Sequence, residues 1–206
     1  MSQLPLPFER PDSARRFLVA GPNLQAVRML ERWATWPVMA AILIGPRKSG
    51  RTLLASQFAE ASNARVIDDA EREKEAAIFH AWNEAQERRR PLLVVADAPP
   101  PTWKIGLPDL RSRMQATPVL TLGEPDDELM PRLLQLHFER VGLPPLPDLI
   151  AWLTPRLDRT HLAAQRAVEA LEAEQSASHA RLSIRSARAT LIAAGLLPGA
   201  QPQLPI

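Results

Sequence analysis

The stretch that decides the fold is Gly45-Pro46-Arg47-Lys48-Ser49-Gly50-Arg51-Thr52. An apolar run over 38–44 precedes it and predicts a buried strand, and a helical pattern over 52–61 follows it. In this context the stretch matches the phosphate loop G-x-x-x-x-G-K-[ST], with Arg51 in the lysine position. Glycines let backbone N–H groups approach phosphates, and the N-terminus of the next helix adds positive potential. The stretch therefore predicts an α/β domain that binds a nucleotide, with an ordinary strand–turn–helix connection as the alternative.

Periodicity along the rest of the chain predicts short strands alternating with helices, followed by helices alone. Further strands are predicted at 64–67, 92–96 and 118–122, and further helices at 23–33, 73–86, 126–141, 148–153, 160–174 and 183–194. This order is typical of a parallel α/β sheet followed by a helical lid. The expected domains are an extended tail at 1–12, an α/β nucleotide-binding subdomain at 13–122 and a helical lid subdomain at 123–206.

Composition excludes several classes of protein. The 206 residues contain no cysteine, and the four histidines lack the spacing of metal ligands. No run of 18 apolar residues suggests a membrane span, and the N-terminus does not read as a secretory signal, so a cytoplasmic location is expected. With 25 basic and 23 acidic residues the net charge is +2, which gives only weak support for nucleic-acid binding.

Aspartates at two predicted strand ends complete the candidate site. Thr52 is expected to place its hydroxyl on Mg²⁺, and Asp68, after the 64–67 strand, to hold the same ion. A hydrolytic site usually has a glutamate next, where this chain has Asp69. Because a forked guanidinium also replaces the compact lysine charge at Arg51, the site is expected to bind nucleotide with poor turnover. Asp97, at the tip of the 92–96 strand, is expected to sense the γ-phosphate. Capping or surface aspartates are the alternative.

The N-terminal tail exposes apolar side chains in Gln3-Leu4-Pro5-Leu6-Pro7-Phe8. Exposed apolar anchors on a tail favour docking into a pocket of another protein. Pro5 and Pro7 stiffen the segment, so less conformational entropy is lost on binding. A tail that folds back onto its own domain is the alternative.

Together these features resemble the Hda family, DnaA-related AAA+ proteins that inactivate the replication initiator DnaA, and its alphaproteobacterial members in particular. The segment Gln3–Phe8 is similar to that family's sliding-clamp motif, in which the glutamine, the second leucine and the phenylalanine are anchors. The resemblance implies clamp contacts by Gln3, Leu4, Leu6, Pro7 and Phe8.

The same resemblance implies roles for residues of the folded domain. The stretch Asp97–Arg113 is similar to the family's sensor strand and its G-L-P-D-L-x-S-R segment, which makes Arg113 the candidate arginine finger acting in trans. Phe17, Gly21 and Asn23 resemble the segment that reads the adenine and ribose. The implied nucleotide contacts are Phe17, Asn23, Gly45, Pro46, Lys48, Ser49, Gly50, Arg51, Thr52, Leu53 and Asp97.

Three departures from the family pattern carry expectations of their own. About a dozen residues separate Thr52 from the 64–67 strand, so the AAA+ sheet is expected to be reduced to about four strands. The lid position of a nucleotide-sensing arginine is occupied by Leu162, with Arg159 and Arg166 on either side. No DNA-binding helix-turn-helix follows the lid, so sequence-specific DNA binding is not expected. The C-terminal 201–206 loosely echoes the clamp motif.

The resemblance implies a regulator of replication initiation whose partners are DnaA and the DNA polymerase III sliding clamp, its β subunit. It would bind ADP or ATP, sit on the clamp through residues 3–8 and present Arg113 to ATP held by DnaA, so that the hydrolysis belongs to the partner. Two alternatives stay open, an ATPase in its own right and a scaffold that no longer binds nucleotide. A bound Mg²⁺ and a homodimer are also left open.

Overall fold

A computed structural model describes residues 16–179 and 181–198 of the chain. The predicted clamp-binding residues 3–8 and the C-terminal 201–206 therefore lie outside the described residues. The chain divides into two compact units, one ending at Glu124 and the other beginning at Pro125.

The first unit alternates helices with short strands. Its elements are α1 (Gly21–Glu31), β1 (Ala40–Ile44), α2 (Arg51–Ser62), β2 (Arg65–Ile67), α3 (Glu75–Arg88), β3 (Leu92–Val95), α4 (Pro108–Ala116) and β4 (Val119–Thr121). Short 3₁₀ turns lie at Trp33–Thr35 and Ala70–Arg72. The helix α1 begins earlier than the periodicity predicts, because Pro22 is preorganised for the first helical turn.

The four strands form one parallel sheet in the order β2-β3-β1-β4. The predicted fold class, a parallel sheet of about four strands followed by helices, is confirmed. Alternate residues of each central strand face opposite layers, as a period of two requires. Leu43 and Leu93 pack on one face with residues of α1 and α2, whereas Ile42 and Val94 pack on the other with residues of α3 and α4. Both faces are buried, which explains the continuous apolar runs in the sequence.

Strand order decides where the polar residues meet. The strand β3 pairs with β1 on one side and with β2 on the other, with Leu43 opposite Val95 and Ile67 opposite Val94. The residues that follow these strands therefore lie along one edge of the sheet. Ligands of open α/β sheets bind outside this carboxyl edge.

The helix α4 is absent from the predicted elements. Its sequence is polar, and only Leu110 and Met114 are buried. The N-terminus of α4 is fixed by a residue that is distant in sequence, because the Glu75 carboxylate accepts the N–H groups of Gly106 at 2.7 Å and Leu107 at 2.6 Å. These bonds hold the pKa of Glu75 below its ordinary value.

The second unit contains the helices α5 (Leu129–Arg140), α6 (Pro147–Leu153), α7 (His161–Ser178) and α8 (Ile184–Ala193). Its core includes the fully buried side chains of Phe138, Val168 and Leu191. The helix α5 begins at Leu129 rather than at the predicted 126, because the Asp126 carboxylate accepts the Leu129 N–H at 2.8 Å. None of the described helices combines the length and apolar composition that a membrane crossing needs.

Candidate nucleotide-binding site

The loop between β1 and α2 is shaped by two glycines. Gly50 has a φ of +87°, and a Cβ built there would lie 3.1 Å from Cε2 of Phe17. A Cβ on Gly45 would lie 2.8 Å from Cβ of Leu122. Gly50 needs a left-handed backbone conformation, and a side chain at Gly45 or Gly50 would be crowded. Steric constraints therefore favour glycine at both positions of the phosphate-loop pattern.

The hydroxyl of Ser49 is the buried polar group of this loop. Ser49 is 6% exposed, and its Oγ has no hydrogen-bond partner among the described residues. A buried polar group without a partner is costly, and a phosphate oxygen would accept this hydroxyl. Lys48, in the same loop, is exposed and has a φ of +67°.

Arg51 lies at the first position of α2 and reaches the end of β3. Its Nη1 donates to the carbonyl oxygen of Ala96, and its Nη2 lies 2.7 Å from Oδ1 of Asp97. The Arg51 side chain is 15% exposed, whereas that of Asp97 is 77% exposed. The residue in the lysine position of the loop is thus bound to the tip of the neighbouring strand.

Thr52 and Asp68 come together as a pair. Oγ1 of Thr52 donates to Oδ2 of Asp68 at 2.8 Å, and the second oxygen of Asp68 accepts the Asp69 N–H at 3.0 Å. A hydroxyl and a carboxylate oxygen are ligands that suit Mg²⁺, which also keeps several of its waters. The pair would hold the ion that neutralises charge on a bound nucleotide. Within residues 16–179 and 181–198, no three acidic or histidine side chains form a metal-binding group.

Asp69 does not join this pair. Its φ is +50°, and its carboxylate lies 3.8 Å from Nη1 of Arg72. Glu71, which the sequence reasoning missed, supplies a carboxylate at the tip of β3 instead. Glu71 accepts the N–H of Asp97 and, at 3.3 Å, that of Ala98. An acidic residue in the short turn after Asp68 was the available signal.

Phe17 and Asn23 are both buried. Phe17 is 4% exposed and contacts Gly50 through its ring. Asn23 accepts the Ala20 N–H at 2.9 Å and donates to the Leu18 carbonyl at 2.8 Å, so its amide orders the segment before α1. Leu53 is partly buried against the apolar core, and Gly21 begins α1. Nucleotide contacts by Phe17, Asn23 and Leu53 stay predictions.

As a candidate arginine finger Arg113 is expected to present a free guanidinium, but the structure holds it against α3. It lies over the rings of Phe79 and Trp82, at 4.6 Å and 4.7 Å from their centroids, and Nη1 donates to Oδ1 of Asn83. The difference arises because α4 packs on α3, which places an arginine of α4 against the aromatic residues of α3. Arg111 is more exposed, and its guanidinium donates to the carbonyl of Ile105 at 2.8 Å.

In the second unit, the residues near the predicted sensor position have roles within that unit. Leu162 is the second residue of α7, and the preceding Thr160 caps the helix by accepting the Ala163 N–H at 3.0 Å. Arg159 pairs with Asp127 at 2.5 Å. Arg166 is exposed on α7.

No protein-family model matches the chain. Similar solved structures include domain III of the Thermotoga maritima replication initiation protein DnaA, which is 15% identical with a TM-score of 0.73 over 93% of this chain and 99% of that domain. AMPPCP-bound DnaA from Aquifex aeolicus is 14% identical with a TM-score of 0.61 over 85% of this chain and 69% of its own. The RuvB protein of Thermotoga maritima is 16% identical with a TM-score of 0.56 over 84% of this chain and 68% of its own. At these identities the likeness concerns the fold, and the chain has the AAA+ fold that it shares with DnaA domain III.

Proposed function

We propose that the chain binds ADP or ATP at the loop of residues 45–52. The observation that carries this proposal is the buried Ser49 hydroxyl, which has no partner among the described residues and lies in a loop whose Gly50 adopts a left-handed conformation. The Thr52–Asp68 pair supports a Mg²⁺ position beside it. The AMPPCP complex of Aquifex aeolicus DnaA supports the nucleotide class.

Intrinsic hydrolysis at this site would be slow. Asp69, which stands where a water-orienting glutamate is expected, is turned toward Arg72. Arg51 is already bound to Asp97, so its charge is partly neutralised before a phosphate arrives. These two features favour a protein that holds nucleotide as a structural or regulatory ligand.

The regulatory role that we propose is inactivation of DnaA. Residues 3–8 would dock on the sliding clamp, and Arg113 would act on ATP bound to DnaA, where a finger of this kind neutralises developing charge. The fold shared with DnaA domain III supports this role.

Arg113 would have to leave Phe79, Trp82 and Asn83 to act on a partner. Arg113 is partly buried, and a cation–π contact is worth about 0.5–1 kcal/mol at an exposed site and about 2 kcal/mol when desolvated, so the partner's triphosphate can compete for the guanidinium. In this proposal residues of α3 hold the Arg113 guanidinium until DnaA binds.

A hydrolysis assay tests the proposed role. ATP-bound DnaA would be incubated with DNA-loaded clamp and this protein, and each component would be omitted in turn. Release of phosphate should need all of them. Release that is unchanged without this protein, or without the clamp, would contradict the role.

Glu71 favours a second candidate function, an ATPase in its own right. Its carboxylate contacts the backbone of Asp97 and Ala98 beside the Arg51 pair, so the site does contain a glutamate. Steady-state turnover of the chain without DnaA would separate the two functions. Turnover above about 1 s⁻¹ that is lost in Glu71→Gln would favour the ATPase, since typical enzymes begin at that rate.

A further inference from the structure

The helical unit contains a cavity of about 370 Å³ that is separate from the nucleotide-binding loop. Its volume falls in the range of ligand pockets, about 300–1,000 Å³. The side chains around it combine two cations with one indole and three aliphatic groups. They are Trp152, Arg156, Arg188, Ile192, Leu197 and Pro198.

One wall of the cavity is a preorganised arginine. Arg156 donates from Nη1 to the carbonyl of Trp152 at 2.8 Å, and its guanidinium carbon lies 4.9 Å from the centroid of the Trp152 ring. The stacking and the hydrogen bond fix the orientation of the planar, forked Arg156 guanidinium, while the side chain stays exposed. A fixed fork loses less entropy when it binds a carboxylate.

The lining contains a second positive charge. Arg188 is exposed on α8 and makes no hydrogen bond or ion pair with the residues that the structure describes. None of the described residues that line the cavity is acidic. The sequence contains no aspartate or glutamate after Glu174, so the arginines of α8 have no nearby acid in sequence to neutralise them. The cavity therefore complements an anion.

The remaining lining selects the kind of anion. Ile192, Leu197 and Pro198 offer aliphatic surface, which receives an apolar side chain but provides no face on which bases stack. One face of the Trp152 indole is already covered by Arg156. An apolar side chain flanked by carboxylates matches this lining better than a nucleic-acid strand does.

We infer that this cavity is a docking site for an acidic linear peptide of another protein, with an apolar side chain in the cavity and carboxylates paired to Arg156 and Arg188. The site uses neither the nucleotide-binding loop nor residues 3–8. The inference therefore does not depend on the role proposed above, and its test can fail without affecting that role.

Selection from a phage-displayed library of random short peptides tests the inference on the full chain. Peptides that carry acidic residues around a leucine or phenylalanine should be enriched. The enriched peptide, synthesised with a fluorescent label, should bind about tenfold or more weakly to Arg188→Glu, since the loss of one charge pair is worth at least about 1.4 kcal/mol. Arg185→Glu, a charge reversal on the same helix outside the cavity lining, is the matched control and should bind within about twofold of the unmodified chain.

Several outcomes would overturn the inference. Enrichment of peptides without acidic residues would do so, as would equal loss of binding in Arg185→Glu and Arg188→Glu. Tighter, Arg188-dependent binding of labelled oligodeoxythymidine would reassign the cavity to nucleic acid. Circular dichroism melts of both variants keep the comparison valid, because Arg188 is an exposed side chain whose reversal should leave the fold intact.

Discussion

Arg51 forms an ion pair with Asp97, with 2.7 Å between Nη2 and Oδ1, although 46 residues separate them in the chain. The pair joins the first turn of α2 to the tip of β3, and Arg51 also donates to the carbonyl of Ala96. The positive charge of the phosphate loop is thus held at the edge of the sheet before any ligand binds.

Replacement of Arg51 by alanine should weaken nucleotide binding. A hydrogen bond to a charged group contributes about 1.5–3 kcal/mol, so the affinity for a fluorescent ADP analogue should fall by about ten- to a hundredfold. Arg47→Ala, in the exposed part of the same loop, is the matched control and should change the affinity little. Equal affinities of the two variants would show that Arg51 serves only to hold Asp97.

Replacement of Ser49 by alanine should have opposite effects on the free and the liganded protein. Without nucleotide the variant should be at least as stable as the original chain, because a buried hydroxyl without a partner is removed. With ADP it should gain less in melting temperature, because one phosphate contact is lost. Thermal melts with and without ADP measure both effects, and Ser56→Ala, exposed on α2, is the control. If the variant were less stable without ADP and its melting temperature rose with ADP as much as that of the original chain, the proposed phosphate contact of Ser49 would be contradicted.

Two variants separate the finger role of Arg113 from its structural role. Arg113→Ala should abolish stimulation of DnaA hydrolysis and lower the free energy of unfolding by about 1–2 kcal/mol, because both ring contacts are lost. Asn83→Ala removes a partner of the guanidinium, so it should also destabilise the chain yet retain the stimulation. Loss of stimulation in both variants would make the effect structural, and its survival in Arg113→Ala would direct attention to Arg111.

Replacement of Leu6 and Phe8 by alanine should abolish binding to the sliding clamp. These side chains are the proposed apolar anchors, and a few such anchors carry most of the energy of a peptide interface. Surface plasmon resonance with immobilised clamp measures the loss, and an unchanged melting temperature shows that the folded units are intact. Retention of clamp affinity would contradict docking through Leu6 and Phe8, independently of nucleotide binding.

His137 should make the helical unit less stable as the pH falls. Burial, and then the charge of Arg140, lower the pKa of His137 from 6.5 to about 4; Glu169 opposes this shift and His161 adds to it. Between these values the unfolded chain binds a proton that the folded chain does not, so stability is present above 6.5 and is lost as the pH falls toward 4.

At pH 5 the loss in the free energy of unfolding due to His137 would reach about 2 kcal/mol, from about 1.4 kcal/mol per pH unit. Urea unfolding at pH 7 and pH 5 measures this loss, and His137→Gln should remove its share of the difference between the two pH values. An equal loss of stability in the variant would place the acid sensitivity elsewhere.

Local features of the sequence predict much of the fold. The apolar runs that became β1 and β3, the glycines at 45 and 50 and the short spacing before β2 predict a parallel sheet of about four strands with a phosphate loop. These signals are reliable because periodicity and turn conformation depend on neighbouring residues. The helix α4 escaped prediction because its N-terminus is held by Glu75, a residue of another helix.

The sequence by itself determined the layered α/β architecture, the turn that is proposed to receive a phosphate and the pairing expected between Thr52 and Asp68. Only the tertiary structure decided that Arg51 binds Asp97, that the Glu71 carboxylate contacts the backbone of Asp97 and that Arg113 packs on the rings of α3. The physical reason is that β3 lies between β1 and β2 in the sheet, and strand order brings together side chains whose separation in the chain leaves no local pattern.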